Sequence, residues 1–189
     1  MIEVRDATID DADAIATAHI DGWRSGYRGV VPDEYLDAEE FATHRRDRWR
    51  AWTWQSITDS RLFVVTNHER VVGFGHAGPE ELAGAHTGDN AVDTTGPRRG
   101  EIYGFYLHPT AWGSGSAGAL MSRCEEFLRD EGFTSAVLWV LRDNPRARAF
   151  YEKAGWHTTG QESLFAPSDA PETDSGTVQW VVSQYEVRL

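Results

Sequence analysis

The spacing of apolar side chains changes period along the chain and lays out strands and helices in turn. Residues 2–8 alternate apolar and polar, the period of a half-covered strand, and Asp10 or Asp11 after them can cap a helix. Over 12–27, Ile15, His19 and Trp23 recur every four residues with Ala12, Ala16 and Ile20 beside them, predicting a helix with one apolar face. His19 within that stripe reads as a core or rim histidine, not a ligand. Residues 24–32 break the pattern, and helix is predicted to resume at Asp33 and run through a charged stretch to Trp54. The apolar runs 61–66 and 71–76 flank Asn67-His-Glu-Arg70, a hairpin signature. Between Pro79 and Gly100, glycine, aspartate, threonine and two prolines interrupt any period, so a flexible exposed insertion is expected, with a lid beside an acceptor site as the alternative to a plain surface loop.

The second half is more regular. Glu101 to His108 predicts a strand with Glu101, Tyr103, Phe105 and Leu107 on one face and Ile102, Tyr106 and His108 on the other. Leu120, Met121, Cys124, Phe127 and Leu128 form the buried stripe of the next helix, and Gly132 is its predicted stop. Residues 135–141 are a continuous apolar run, the mark of a strand covered on both faces. Strand, helix and strand of these lengths make a right-handed parallel unit. Asn144-Pro145 opens a further helix to about Ala154, ended by Gly155. Residues 157–165 and 178–187 then read as a closing antiparallel pair joined by a polar loop over 166–177. The pattern as a whole is an α/β (α+β) chain, read as one domain over 1–189 with no repeat or linker.

Composition narrows the class. At 189 residues and 40% hydrophobic, the chain is long enough to bury a core without staples. Its single cysteine, Cys124, allows neither an internal disulfide nor a cysteine metal site, and it sits in a helix stripe where packing is the expected role. No metal is expected. No apolar run reaches 15 to 20 residues and the first residues lack a signal-peptide pattern, so a cytoplasmic protein is expected. A net charge of −12, from 30 acidic and 18 basic residues, argues against a nucleic-acid partner. It serves solubility or the steering of cationic small molecules.

The chemistry centres on 106–121, where a strand meets a glycine-rich turn and the start of a helix. Pro109 cannot donate to a sheet and should end the strand, while Gly113, Gly115 and Gly118 open backbone conformations closed to other residues. Helix N-terminal N–H groups beyond them suit a phosphate, so the segment reads as an anion cradle for a pyrophosphate-bearing cofactor. The same glycines spell G-x-G-x-x-G, with Asp143 as a candidate ribose partner, so an NAD-type dinucleotide site stays open. A Walker A loop is excluded, because the only lysine is Lys153.

Leu107-His-Pro-Thr-Ala-Trp-Gly-Ser-Gly-Ser-Ala117 resembles the acyl-CoA motif of the GNAT superfamily of N-acetyltransferases, in which Val-x-Pro precedes Gln/Arg-x-x-Gly-x-Gly/Ala. Trp112 stands at the Gln/Arg position and Ser116 at an aliphatic one. Residues 138–156 are similar to the family's second signature, a strand followed by Asn-x-x-Ala-x-x-Phe-Tyr-Glu-Lys-x-Gly-Phe. The resemblance implies a GNAT fold: a mixed sheet of six to seven strands with a splayed parallel pair, flanked by about four helices. It implies acetyl-CoA as acyl donor, held by Phe105, Tyr106, Leu107, Trp112, Gly113, Ser114, Gly115, Ser116, Ala117 and Asn144, with Asn144 alternatively only a helix cap. It further implies Tyr151 as proton source for the leaving sulfur and Glu101 as the carboxylate nearest the amine, with His76 and His108 as alternatives and a water relay open. A weaker likeness over 23–36 makes Trp23, Tyr27 and Tyr35 candidates for the acceptor pocket. The expected function is acetyl transfer to a primary amine of a small molecule or peptide, with a homodimer compatible with the family's habits. A non-catalytic CoA-binding sensor would carry the same motifs.

Overall fold

The computed structural model describes residues 1–52, 59–80, 98–173 and 176–189. Within it β1 (Ile2–Asp6) pairs antiparallel with β2 (Arg61–Asn67), and β2 with β3 (Arg70–Pro79). The β2–β3 turn is made by His68 and Glu69, both at positive φ (49° and 64°), a geometry that follows the twist of the flanking strands. Next come β4 (Arg99–Leu107), antiparallel to β3, and β5 (Ser135–Leu141), parallel to β4. From the C-terminal segment, β9 (Trp180–Arg188) inserts between β5 and β6 (His157–Phe165), antiparallel to both. Seven strands thus form one mixed sheet, as the resemblance implied, and a separate small hairpin, β7 (Glu172–Thr173) and β8 (Gly176–Thr177), occupies the connection predicted as loop.

Helices cover both faces. On one side lie α1 (Ala12–Gly26), α2 (Asp33–Asp37) and α3 (Glu39–Arg50), whose buried Ile15, Ile20, Trp23, Leu36, Phe41 and Trp49 meet Val64, Phe74, Leu141 and Val182 of the sheet. On the other lie α4 (Ser116–Asp130) and α5 (Pro145–Lys153), with Leu120, Cys124, Leu128 and Tyr151 against Ile102, Leu107 and Leu138. The predicted α4 stripe is buried throughout, and a fully buried leucine such as Leu120 or Leu128 stabilises the fold by about 2 kcal/mol. Burial pushes the Cys124 thiol up to about 12, which suits packing and not nucleophilic attack.

Several local expectations are corrected. Asp11 does stand at the N-cap of α1, but its side chain makes no cap bond there and instead turns back to Thr8, the N-cap of the short 3₁₀ turn Ile9–Asp11. The Thr8 N–H donates to Asp11 Oδ2 (2.8 Å), and Asp11 also takes the Arg5 guanidinium at 2.7 and 2.8 Å. The helix predicted from Asp33 to Trp54 breaks at Ala38, whose ψ of 142° is extended, so the described residues hold five α-helices where about four were expected. Residues 53–54 lie outside those described. Arg45, inside the charged run, is buried: its guanidinium lies 3.5 Å from the Phe41 ring centre and 4.7 Å from that of Trp23, and pairs with Asp169 at 2.6 Å. The insertion expected over 79–100 is narrower at both ends, because Pro79 and Gly100 are paired strand residues. Its centre, 81–97, and the lid placed there lie outside the described residues.

Two corrections concern the strands that make the site. Pairing of β3 with β4 slips between His76↔Gly104 and Ala77↔Ile102, leaving Tyr103 as one extra residue on β4. That bulge resets the alternation. Ile102 therefore joins Leu107 in the α4-side core, while Glu101 and Tyr106 come to line one cavity instead of opposite faces. β5 is not covered on both faces along its whole length either, since Trp139 is 36% exposed.

Candidate functional site

Parallel pairing of β4 and β5 covers four positions, from Arg99↔Ser135 to Ile102↔Leu138, and then stops. Both strands continue, β4 to Leu107 and β5 to Leu141, so they diverge toward their carboxyl ends. β5 keeps its other neighbour through Leu141↔Val182, so the gap opens on one side only. A cavity of about 500 Å³ fills it, bounded by Tyr103 to Leu107 on one strand and Leu138 to Val140 on the other. α1 reaches this opening through Gly22, Gly26 and Tyr27.

The glycine-rich turn stands at one end of the cavity. A short 3₁₀ turn over Pro109–Ala111 follows β4, then Gly113 (φ 74°) and Gly115 (φ 94°) take left-handed conformations before α4 begins at Ser116. Two of the turn's N–H groups are used internally: Ser114 donates to the Ala111 carbonyl (3.3 Å) and Ser116 to Ser114 Oγ (3.3 Å). Those of Gly113, Gly115, Ala117 and Gly118 have no hydrogen-bond partner among the described residues. A Cβ placed on Gly113 or Gly118 would meet nothing within 4 Å, so an anion has an open approach. The arrangement fits a diphosphate at a helix N-terminus. Trp112, Gly113 and Ala117 line the cavity; Ser114, Gly115 and Ser116 shape the turn behind it, Ser116 fully buried.

α5 supplies the opposite wall. Asn144 caps it by accepting the Ala147 N–H (3.1 Å), and Pro145 occupies the first helical turn. Asn144 also lines the cavity, as do Phe150 and Tyr151 about two turns on. Tyr151 is 7% exposed and set among Phe105, Phe150, Trp156 and Tyr185, with ring centres 5.4 to 6.4 Å away. Burial, with the Tyr106 phenol nearby, pushes its pKa well above the ordinary tyrosine value, so it holds its proton at any working pH. Burial raises Tyr27 likewise, again with Tyr106 beside it, so three phenols gather at the opening.

A second cavity of about 380 Å³ lies on the α1 side and shares Tyr27, Tyr103, Tyr106 and Trp139 with the first. Trp23 and Glu101 line it, together with Leu141, Val182 and residues 163–165 of β6. Of the residues singled out from sequence, Phe105, Tyr106, Leu107, Trp112, Gly113, Ala117, Asn144 and Tyr151 meet at the first cavity, and Trp23, Tyr27 and Glu101 at the second. Tyr35 reaches neither. It is buried against Phe41 and stacked on Trp180, with its hydroxyl pushed up to about 12 by burial. His76 and His108 are also off both linings: His76 bonds Ser60 Oγ at 2.9 Å, and His108 meets Asp21 at 3.2 Å.

Two lining groups escaped the sequence reading. Arg146, on the first turn of α5, lays its guanidinium 3.7 Å from the centre of the Trp112 ring, and both side chains line the first cavity. The cation absent from position 112 thus arrives from a residue 34 positions later. The tip of β6, Ser163 to Phe165, forms part of the second cavity's wall. A strand's own pattern does not reveal that its end will face a gap two strands away.

Comparison with known proteins follows the same geometry. Residues 23–156 match the family model for the acetyltransferase (GNAT) family. The chain is similar to the uncharacterized N-acetyltransferase YuaI of Bacillus subtilis, 30% identical over 146 residues that cover 77% of this chain and 75% of that one. It is also similar to a probable N-acetyltransferase of Mycobacterium tuberculosis, 23% identical over 88% of this chain and 86% of the relative. Among solved structures, the PaiA N-acetyltransferase of Thermoplasma acidophilum in complex with coenzyme A superposes with a TM-score of 0.64 at 18% identity, covering 100% of this chain and 99% of the other. With the splayed pair, the glycine cradle and these matches together, the chain belongs to the acetyltransferase (GNAT) family.

Proposed function

We propose that this protein transfers an acetyl group from acetyl-CoA to a primary amine, by direct attack while both substrates are bound. The observation that carries the reading is the end of β4–β5 pairing at Ile102/Leu138, which leaves a cavity running between the Gly113–Gly118 cradle and Tyr151. A structural neighbour of the same fold, solved in complex with coenzyme A, supports the same donor. Acetyl-CoA supplies an activated thioester carbonyl and a thiol leaving group. On this reading, the N–H groups of Gly113, Gly115, Ala117 and Gly118 hold the diphosphate. The edge of β4 beyond Ile102, which has no strand partner on the β5 side, receives the pantetheine arm and polarises the carbonyl.

The amine enters from the second cavity, where Glu101 and the Tyr27 and Tyr106 phenols meet. The amine nitrogen forms the new bond to the carbonyl carbon as the carbon–sulfur bond breaks. One proton leaves the nitrogen to Glu101, directly or through water, and one is gained by the sulfur. The Tyr151 phenol holds its proton more tightly than a thiol does, so its part is to hydrogen-bond the departing sulfur while solvent supplies the net proton. The test is thiol release from acetyl-CoA across a panel of primary amines, with binding of CoA and of NAD measured alongside. Turnover with CoA binding is expected. Tight NAD binding without CoA binding, or CoA binding with no turnover on any amine, overturns the reading.

A further inference from the structure

A thioester in the first cavity and an amine in the second can react only where the two join. Among the described residues four line both cavities: Tyr27, Tyr103, Tyr106 and Trp139. Glu101 lines the second cavity and not the first, so it stands back from that junction. An attacking amine is aimed by groups that accept its N–H bonds and leave its lone pair facing the carbonyl. Two of the four residues are poorly suited to that work. Trp139 carries only an indole N–H, a donor, and is 36% exposed. The Tyr103 hydroxyl donates to the carbonyl of Pro79, at the end of β3.

Tyr27 and Tyr106 remain, and both are held firmly. The Tyr27 N–H donates to the Trp23 carbonyl at 2.9 Å, and its own carbonyl accepts the N–H groups of Val30 and Val31, each at 2.9 Å. Its ring stands edge-on to Trp23, with centres 4.6 Å apart and planes at 89°. The Tyr106 ring is wedged between His19, Phe74 and Trp23, with centres 4.5, 5.6 and 6.5 Å away. Burial, with the Tyr106 hydroxyl beside it, keeps the Tyr27 phenol protonated. Two phenols from different elements, α1 and β4, are thus fixed side by side on the path between the cavities. A phenol oxygen can accept an N–H while bringing no charge of its own.

We propose that Tyr106 is a further catalytic residue, its phenol oxygen accepting one N–H of the attacking amine at the junction, and that Tyr27 is a positioning residue whose hydroxyl sets the direction of the Tyr106 O–H. The inference rests on the acetyl-transfer reading above. No proton moves to Tyr106, and the nitrogen's proton still leaves to Glu101 directly or through water. What the phenol supplies is aim.

The test measures kcat and KM by thiol release from acetyl-CoA with the fastest acceptor among n-propylamine, 2-phenylethylamine, spermidine, kanamycin and glycylalanine. CoA affinity is measured alongside by calorimetry, with the thermal midpoint. Tyr106→Phe keeps the packed ring and removes the oxygen, so kcat should fall about tenfold while KM for the amine, CoA affinity and the midpoint hardly change. Tyr27→Phe should lower kcat about threefold alone and have no further effect in Tyr106→Phe, because its hydroxyl acts through the other. An unchanged kcat in Tyr106→Phe overturns the proposal and leaves the acetyl-transfer reading standing. So does a loss matched by weaker CoA binding or a lower midpoint, the mark of disturbed packing. Strictly multiplicative losses in the double variant overturn the role of Tyr27. Wild-type protein that binds CoA but releases no thiol with any of the five amines overturns both readings together.

Discussion

Removing the Arg146 guanidinium is the sharpest probe of how the donor is held. Arg146 is exposed and its guanidinium lies over the Trp112 ring, 3.7 Å from the centre, so Arg146→Ala costs the fold an exposed cation–π interaction, on the order of 0.5–1 kcal/mol. Its place in the wall beside Trp112 and Gly113 predicts a larger effect on a phosphate-bearing ligand. A hydrogen bond to a charged group contributes about 1.5–3 kcal/mol, and tenfold in Kd corresponds to about 1.4 kcal/mol. CoA affinity should therefore fall roughly ten- to a hundredfold while the thermal midpoint hardly moves. Calorimetric titration with CoA at two ionic strengths reads both parts of the argument, since the gap between wild type and variant should narrow as salt screens the pair. Trp112→Ala should lose part of the same affinity by freeing the guanidinium, and the double variant should lose less than the two singles combined. CoA binding within twofold of wild type in Arg146→Ala, or strict additivity in the double variant, would refute the reasoning.

Three further outcomes follow from the geometry. Gly115→Glu puts a side chain on a residue at φ 94°, costing about 1–2 kcal/mol of strain, and adds a negative charge at the cradle; CoA binding should be lost, whereas Gly115→Ala, with the strain but not the charge, should retain measurable binding. Tyr151→Phe keeps the buried ring and removes the hydroxyl, so kcat should drop about a hundredfold or more with CoA affinity unchanged; an unaltered kcat would remove Tyr151 from the chemistry. Burial lowers His76 from its ordinary 6.5 to about 4, so between those values the unfolded chain takes up a proton that the folded chain refuses, and stability falls as pH falls. From pH 7.5 to 5 that group's share is roughly 2 kcal/mol, and urea midpoints of His76→Gln should show a correspondingly shallower decline; the decline that remains is expected from His19, which burial also depresses. Equal slopes in wild type and variant would count against the assignment.

How far the sequence can be read depends on whether a feature is local. The α4 stripe, the cap at Asn144 and the glycine turn are legible because each is decided within a turn or two of its own residues. The slip at Tyr103 is not, because it belongs to the pairing of β4 with β3 and leaves no mark on the alternation of β4 alone. Arg45 illustrates the same limit. In a run reading His-Arg-Arg-Asp-Arg it resembles its neighbours, and only the rings of Phe41 and Trp23 and the carboxylate of Asp169 make one arginine of the three a core residue. Tyr35 went the other way. Its likeness to an acceptor-site residue was a matter of spacing, but the break at Ala38 turns α2 so that the ring packs on Phe41 and Trp180.

The bulge also ties the architecture to the chemistry. Parallel strands normally stay paired because each hydrogen bond lost to a buried amide costs free energy, so a splayed pair must either find another partner or carry that cost. Here β4 retains β3 on its other edge from Gly100 to Leu107, the slip at Tyr103 apart, and β5 retains β9, so each diverging strand is held from behind. The extra residue at Tyr103 comes one position after the last β4–β5 pair, where added twist turns β4 away from β5 and brings Glu101 and Tyr106 to a common cavity. Deleting Tyr103 would restore simple alternation to β4. It should therefore close the wedge and move Glu101 away from Tyr106 together, losing CoA binding and amine turnover in the same variant, whereas a bulge that merely decorates the strand would let one survive without the other.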